Sequence, residues 1–244
     1  MVHVIFDMDG VIFDSERTLL ECWIDIAQKY DVDEELVRNT YLKCIGTNSR
    51  QTTEIYKNAF LDLLGEEKMW RIWNESNELY RKRYSDRAFP LKAGVKEILE
   101  YLKSCGISAG IASSSPKQTV DKRISRSGLA GYFVGSIGGD AVKISKPDPE
   151  IYLLACDEFG FAPENTFAIE DSFNGIRAAS AAGLRPVMVP DIVPADSEMK
   201  LLSEAVCKDL FEVVDYLAGL KLSPLCCGIL DRITRYPFFS AYSG

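Results

Sequence analysis

Histidine is nearly absent: among 244 residues only His3 is one, and it stands inside an apolar run. Ser-His-Asp chemistry, Cys-His proteolysis and most zinc hydrolase sites are thereby excluded. The seven cysteines, at 22, 44, 105, 156, 207, 226 and 227, include no Cys-x-x-Cys pair. Their odd number and apolar surroundings predict buried reduced thiols rather than a disulfide frame. No stretch reaches ~18 uninterrupted apolar residues, and no basic segment followed by an apolar segment and a cleavage site opens the chain. A soluble cytoplasmic protein with no membrane partner is expected. Positive charge is short too: 28 basic against 36 acidic residues give −8, the wrong sign for a nucleic acid partner. Whatever chemistry the chain performs must run on carboxylates, hydroxyls, lysine or arginine.

What is present is ordinary globular composition, 47% hydrophobic and 26% charged, on a length suited to one or two domains. Residues 2–6 are a short apolar run rich in β-branched side chains, as in a strand buried on both faces. Similar runs at 107–112, 132–137, 166–169 and 186–189, with helical patterns between most of them, predict a parallel α/β sheet. One helix is legible over 94–103, where Val95, Ile98, Leu99 and Leu102 form a stripe that Gly106 ends. Ser115-Pro116 and Asp148-Pro149 each predict a helix start, with proline at the first helical position. Residues 174–182 are alanine-rich and close at Gly183, which predicts a helix able to approach the sheet closely. Residues 16–88 carry helical periodicity, high charge and no strand, so they are read as an inserted helical domain. Its aromatics, Trp23, Tyr30, Tyr41, Tyr56, Phe60, Trp70, Trp73 and Tyr80, recur at intervals suited to interhelical packing, with a substrate wall as the alternative. The expected division is an α/β core from 1–15 and 89–220, the helical insertion at 16–88, and an extension at 221–244 with no clean period. Residues 190–198, with two prolines and three acids, predict an exposed loop.

Four short segments carry chemistry, and all follow strands. Asp7-Met8-Asp9-Gly10 leaves the first strand so that both carboxylates can face the crevice at its carboxyl end. A calcium loop of the helix-loop-helix kind would need its glycine sixth and a helix in front. Ser113, Ser114 and Ser115 end another strand with hydroxyls and fresh helix amides, a seat for phosphate oxygens. Lys146 precedes Pro147-Asp148-Pro149, which can hold an ammonium rigidly toward the same crevice, a solvated lysine being the alternative. Glu170-Asp171 ends the run at 166–169, and two further acids near Asp7 are costly unless a hard divalent cation joins them.

Taken in order, Asp7-x-Asp9-Gly10-Val11, Ser113, Lys146-Pro147 and Glu170-Asp171 resemble the haloacid dehalogenase superfamily of phosphotransferases. Asp14-Ser15-Glu16, Ser145-Lys146-Pro147 and Ile169-Glu170-Asp171-Ser172-x-x-Gly175 are similar to its branch of β-phosphoglucomutases and sugar-phosphate phosphatases. The resemblance implies a Rossmann-like parallel sheet with a helical cap, Mg²⁺ as cofactor, and a small phosphorylated substrate on a monomer. It implies Asp7 as nucleophile and Asp9 as acid and base, with Ser113 and Lys146 neutralising phosphoryl oxygens. Asp7, the main-chain carbonyl of Asp9, Asp171 and Glu170 would hold the metal. For Asp9 to be an acid near neutral pH its pKa must be raised, and dense neighbouring acids are expected to raise it. Ser114 and Ser115 join the substrate site, as do Gly46 and Arg50 of a loop similar to the one whose arginine grips substrate in this branch. The mutases carry a cap histidine where this chain reads Arg17-Thr18-Leu19-Leu20, so hydrolysis is favoured over phosphomutase. A non-catalytic protein that binds phosphorylated metabolites is the reading from a different class.

Overall fold

The computed structural model describes residues 1–84, 88–220 and 222. Its strands are β1 (His3–Phe6), β2 (Ser108–Ser113), β3 (Phe133–Gly138), β4 (Thr166–Glu170), β5 (Arg185–Met188) and β6 (Ala205–Val206). Together they form one parallel sheet in the order β3-β2-β1-β4-β5-β6. Alternation along the strands decides what lies on each face. Val4 and Phe6 of β1, with Phe167 and Ile169 of β4, enter one apolar cluster; Ile5 and Ala168 enter the other. Parallel strands need crossover connections, so helices cover both faces.

The first face receives α5 (Val95–Ser104), α6 (Lys117–Arg126) and α10 (Leu210–Gly219) through Ile98, Leu102, Val120, Val213 and Leu217. The second receives α7 (Glu150–Phe159) and α8 (Phe173–Ala181), where Ala112, Ala155, Ala168, Ala178 and Ala179 meet. These small side chains let helices approach the sheet closely. His3 takes no chemical role: its ring stacks on Phe161 with centroids 4.0 Å apart.

Between β1 and α5 the chain builds α1 (Ser15–Gln28), α2 (Glu34–Cys44), α3 (Ser49–Leu64) and α4 (Glu66–Arg83). Asp33 caps α2, and Asn48 with Gln51 forms a capping box on α3. These helices have an apolar cluster of their own. At its centre Trp23 meets Tyr41, Tyr56 and Trp73 at ring separations of 5.1, 5.2 and 5.4 Å.

Several expectations from sequence change here. β6 has two residues, too few for any periodicity to betray it. The segment 190–198 is less exposed than its composition suggests. Ser197 opens α9 (Ser197–Leu202), which Asp196 caps. The Asp191 side chain, 1% exposed, takes hydrogen bonds from Lys92 Nζ at 2.6 Å and Arg17 Nε at 3.1 Å. Pro116 and Pro149 stand one place before the first helical residue rather than on it. Asp148 still accepts from Glu150 N at 3.0 Å, while the Ser115 hydroxyl is used elsewhere. Cys22, Cys44, Cys156 and Cys207 are free and buried, as expected, but Cys105 is disulfide-bonded. Cys226, Cys227 and the rest of the extension, apart from Leu222, lie outside the described residues.

Because Trp23 joins three helices through aromatic contacts, Trp23→Ala is expected to cost about 3–5 kcal/mol of stability. Urea unfolding followed by far-ultraviolet circular dichroism measures it; a cost below about 1 kcal/mol would show that the cluster is not cooperative with the fold.

Candidate active site

Strand order reverses at β1, which has β2 on one side and β4 on the other. At such a point the connections depart to opposite faces and leave a crevice at the carboxyl ends of the strands. Asp7 is the first residue past β1, and its N–H donates to the carbonyl of Ile169 at 2.9 Å. The register that pairs Phe6 with Ile169 therefore sets Asp7 beside Glu170, the last residue of β4. Ser113 ends β2 on the other side.

Lys146, buried, ties these ends together. Its ammonium donates to Asp7 Oδ1 at 2.6 Å, Glu170 Oε1 at 2.6 Å and the carbonyl of Ala112 at 3.1 Å. All three of its protons are used. Glu170, 0% exposed, also receives the Tyr152 hydroxyl at 2.7 Å, and its other oxygen takes the Ser172 hydroxyl at 3.1 Å and the N–H of Asp171 at 3.2 Å. Gly175 is needed for this packing, since a Cβ there would lie 1.9 Å from Glu170 Cδ. Gly10 is needed twice over: its φ is +84°, and a Cβ would fall 2.1 Å from Asp171 Oδ2.

Asp7, Glu170 and Asp171 can bring one oxygen each within 4.8 Å of one another. One lysine does not balance three carboxylates. Burial, outweighing the pull of Lys146, pushes the Asp7 carboxyl well above its ordinary range, and the Glu170 charge adds to it. Burial followed by the charges of Glu170 and Asp7 does the same to Asp171. No described side chain donates a hydrogen bond to the Asp171 carboxylate. An all-oxygen cluster with surplus negative charge is the donor set a hard divalent cation takes.

Asp9 behaves differently. Ser15 donates to its Oδ1 at 2.5 Å, Ser115 to its Oδ2 at 2.8 Å, and Arg123 Nη1 to Oδ1. Its carboxylate is taken up by these three donors and is not part of the metal-type cluster, which leaves its main-chain carbonyl as the group expected to reach a metal. Contrary to the sequence reading, Asp9 is not raised. Burial raises it, but the Arg123 charge and the three hydrogen bonds overcome this and hold it below its ordinary value. Besides Asp7 and Asp171, Glu16 is a raised acid nearby, lifted by burial and then by the Asp9 charge to about 7, against a hydrogen bond from the Tyr41 hydroxyl at 2.5 Å.

These groups face a cavity of about 230 Å³ between the sheet and the inserted helices. Asp7, Asp9, Ser113, Ser114, Ser115, Gly46 and Asp171 all line it. The Ser114 hydroxyl donates to the Gly46 carbonyl at 3.2 Å across the gap. Lys146 and Glu170 are not among the lining residues; Lys146 acts through Asp7, while Glu170 can bring an oxygen within 4.8 Å of those of Asp7 and Asp171. Arg50 is not brought in: it lies exposed in the first turn of α3 and outside the lining. Leu19 holds part of the wall in the stretch that lacks a histidine. Trp23, Tyr41 and Trp73 serve both as helix packing and as wall, and Tyr80, whose ring meets Tyr84 and Phe89, lines the wall as well. Sequence reasoning missed Arg123 and Glu16 as site residues, while Tyr41 and Tyr80 come from the aromatics for which a place on the wall was the alternative. For Arg123 there was a faint signal, a charge on the stripe of the buried Val120 and Ile124.

A family model for haloacid dehalogenase-like hydrolases matches residues 4–189. The chain belongs to this family. It is 33% identical to a phosphorylated carbohydrates phosphatase of Thermotoga maritima over 91% of its own length and 99% of the relative's. With a β-phosphoglucomutase of Bacillus subtilis it shares 30% identity over 84% of this chain and 95% of that one. A crystal structure of β-phosphoglucomutase from Clostridium difficile, 24% identical, has the same fold with a TM-score of 0.71, covering 91% of this chain and 97% of that one. No described helix is long and apolar enough to cross a membrane.

Because Asp7, Asp171 and Glu16 bind protons more tightly folded than unfolded, stability of the metal-free protein falls as pH rises above the ordinary carboxylate range of ~4. His3, lowered by burial, and Asp9, held low by Arg123, work in the opposite sense. Thermal unfolding in chelator should give a higher midpoint at pH 5 than at pH 8, and Mg²⁺ should raise the midpoint more at pH 8. A midpoint that is higher at pH 8 without metal would contradict this charge balance.

Proposed function

We propose that the chain is a Mg²⁺-dependent phosphatase acting on small phosphorylated metabolites, with sugar or polyol phosphates as its substrate class. The observation that carries the reading is the buried cluster of Asp7, Glu170 and Asp171 bridged by Lys146, with Asp9 two residues beyond Asp7 on the same cavity wall. Phosphate monoesters resist hydrolysis because a dianion repels its nucleophile and an alkoxide leaves poorly. The carboxylate of Asp7 attacks phosphorus, the ester oxygen departs, and an aspartyl-phosphate forms, dividing one hard displacement in two. Asp9 gives a proton to the departing oxygen and then takes one from the water that attacks the aspartyl-phosphate. With Arg123 on it Asp9 is held as the anion, so substrate must displace this contact and Asp9 must take a proton from water before it delivers one to the departing oxygen.

Asp7, Asp171, Glu170 and the carbonyl of Asp9 would hold Mg²⁺, which supplies positive charge against the phosphoryl oxygens and the nucleophile. Ser113 offers its hydroxyl to those oxygens, whereas the Ser114 and Ser115 hydroxyls donate to the Gly46 carbonyl and to Asp9, and Lys146 fixes Asp7 while neutralising it. The inserted helices act as a cap that excludes water and selects the alcohol part of the ester. A cavity of about 230 Å³ supports a small substrate rather than a phosphoprotein. Phosphomutase is the second reading, supported by the mutase relative, and Leu19 on the wall where that branch carries a histidine counts against it.

Released phosphate from a panel of phosphorylated sugars and polyols, with and without Mg²⁺, tests the reading. Asp7→Asn should lower kcat by at least about a thousandfold, since it removes the nucleophile. Full activity in chelator, or in Asp7→Asn, would overturn it.

A further inference from the structure

Arg123 enters the steps above only as the contact that substrate displaces from Asp9, and yet it is the single cation on the wall of the cavity among the described lining residues, which also include Asp7, Asp9, Glu16 and Asp171. Its side chain is only 14% exposed. Three contacts define its pose: Nη1 on Asp9 Oδ1, Nη2 on the Tyr80 hydroxyl at 3.2 Å, and the guanidinium 4.3 Å from the centre of the Phe89 ring. A flat fork lying against an aromatic face is presented for a planar or tetrahedral oxyanion, a geometry lysine cannot reproduce.

We infer that Arg123 is a specificity residue that binds a second anionic group of the substrate, a carboxylate or another phosphate carried close to the scissile ester. The inference rests on the phosphatase reading and narrows its substrate class. Asp9 is surrounded: Ser15 and Arg123 occupy Oδ1 and Ser115 occupies Oδ2. An ester oxygen approaching Asp9 must displace one of them. If a neutral alcohol displaces Arg123, a nearly buried cation loses its counter-ion, at a cost that no hydroxyl repays. If the alcohol part itself carries an anion, Arg123 exchanges one oxyanion for another and Asp9 is freed at little cost.

The surroundings say on which side that anion lies. Arg123 and Tyr80 also line a neighbouring cavity of about 560 Å³, whose wall adds Arg81, Lys122 and Arg126. Among the described lining residues this is a local excess of positive charge in a chain of net charge −8. It draws an anion toward Arg123 and away from the carboxylates around Asp7. On the wall formed by the inserted helices, Thr47, Thr52, Glu16 and Asn77 offer groups that hydrogen-bond hydroxyls. The ligand these features describe is a phosphorylated hydroxy acid or a bisphosphate of a short polyol.

The test compares matched esters on the Mg²⁺-loaded enzyme: 3-phosphoglycerate and glycerol 1,3-bisphosphate, each against glycerol 3-phosphate, with p-nitrophenyl phosphate as reference. The wild type should favour at least one anionic ester by about tenfold or more in kcat/KM, and which one it favours tells carboxylate from phosphate. Arg123→Met should cut that ratio by about tenfold or more, and Arg123→Lys should keep part of it. No preference in the wild type, or a ratio unchanged in Arg123→Met, overturns the inference while leaving the phosphatase standing. No turnover of any ester, p-nitrophenyl phosphate included, overturns the phosphatase reading and this inference with it.

Discussion

Lys146 between Asp7 and Glu170 is the contact on which the rest of the site depends. An ammonium and two carboxylates brought out of water would be very costly apart, and they persist because 2.6 Å contacts join them at the place where the sheet reverses its strand order. Burial lowers the lysine pKa, but the charges of Asp7 and Glu170 prevail and hold it above its ordinary value, so it stays charged. The bridge leaves the cluster short of positive charge, and the raised acids Asp7 and Asp171 are the result. A protein that only needed stability would do better with apolar residues here. The surplus negative charge makes sense as a device for binding a cation.

A second centre of charge stands a few ångströms along the same wall. Asp9 and Arg123 neutralise each other, and Arg123 carries the link onward to Tyr80 of the inserted helices. Those helices are tied to the sheet elsewhere by Ser114 on the Gly46 carbonyl, Asn174 on the Ile45 carbonyl, and Arg17 with Lys92 on Asp191. Each tie is a polar bond near a connection rather than a broad apolar contact. Such ties can break and re-form while the apolar clusters of the sheet and of the inserted helices stay whole.

The sequence disclosed the parts that obey local rules. Buried parallel strands write themselves as apolar runs, so β1, β2 and β4 were legible, and the acids, hydroxyls and lysine stand just beyond them. The α5 stripe was equally plain. What stayed hidden depends on distance in the chain. Arg123 reaches Asp9 from a helix 114 residues away, and nothing local announces that contact. That is why Asp9 was expected to be raised: its acidic neighbours are visible in sequence, and its basic one is not. Arg50 erred the other way, since a loop motif says little about where the first turn of α3 points its side chains. Asp191 looked like loop charge because Arg17 and Lys92 come to it from other elements.

The most direct measurement is to quench the enzyme in acid during turnover of a good phosphate ester and map any phosphoryl adduct by peptide mass spectrometry. The account predicts the adduct on Asp7. Steady turnover with Asp7 unmodified, or an adduct on another residue, would contradict it.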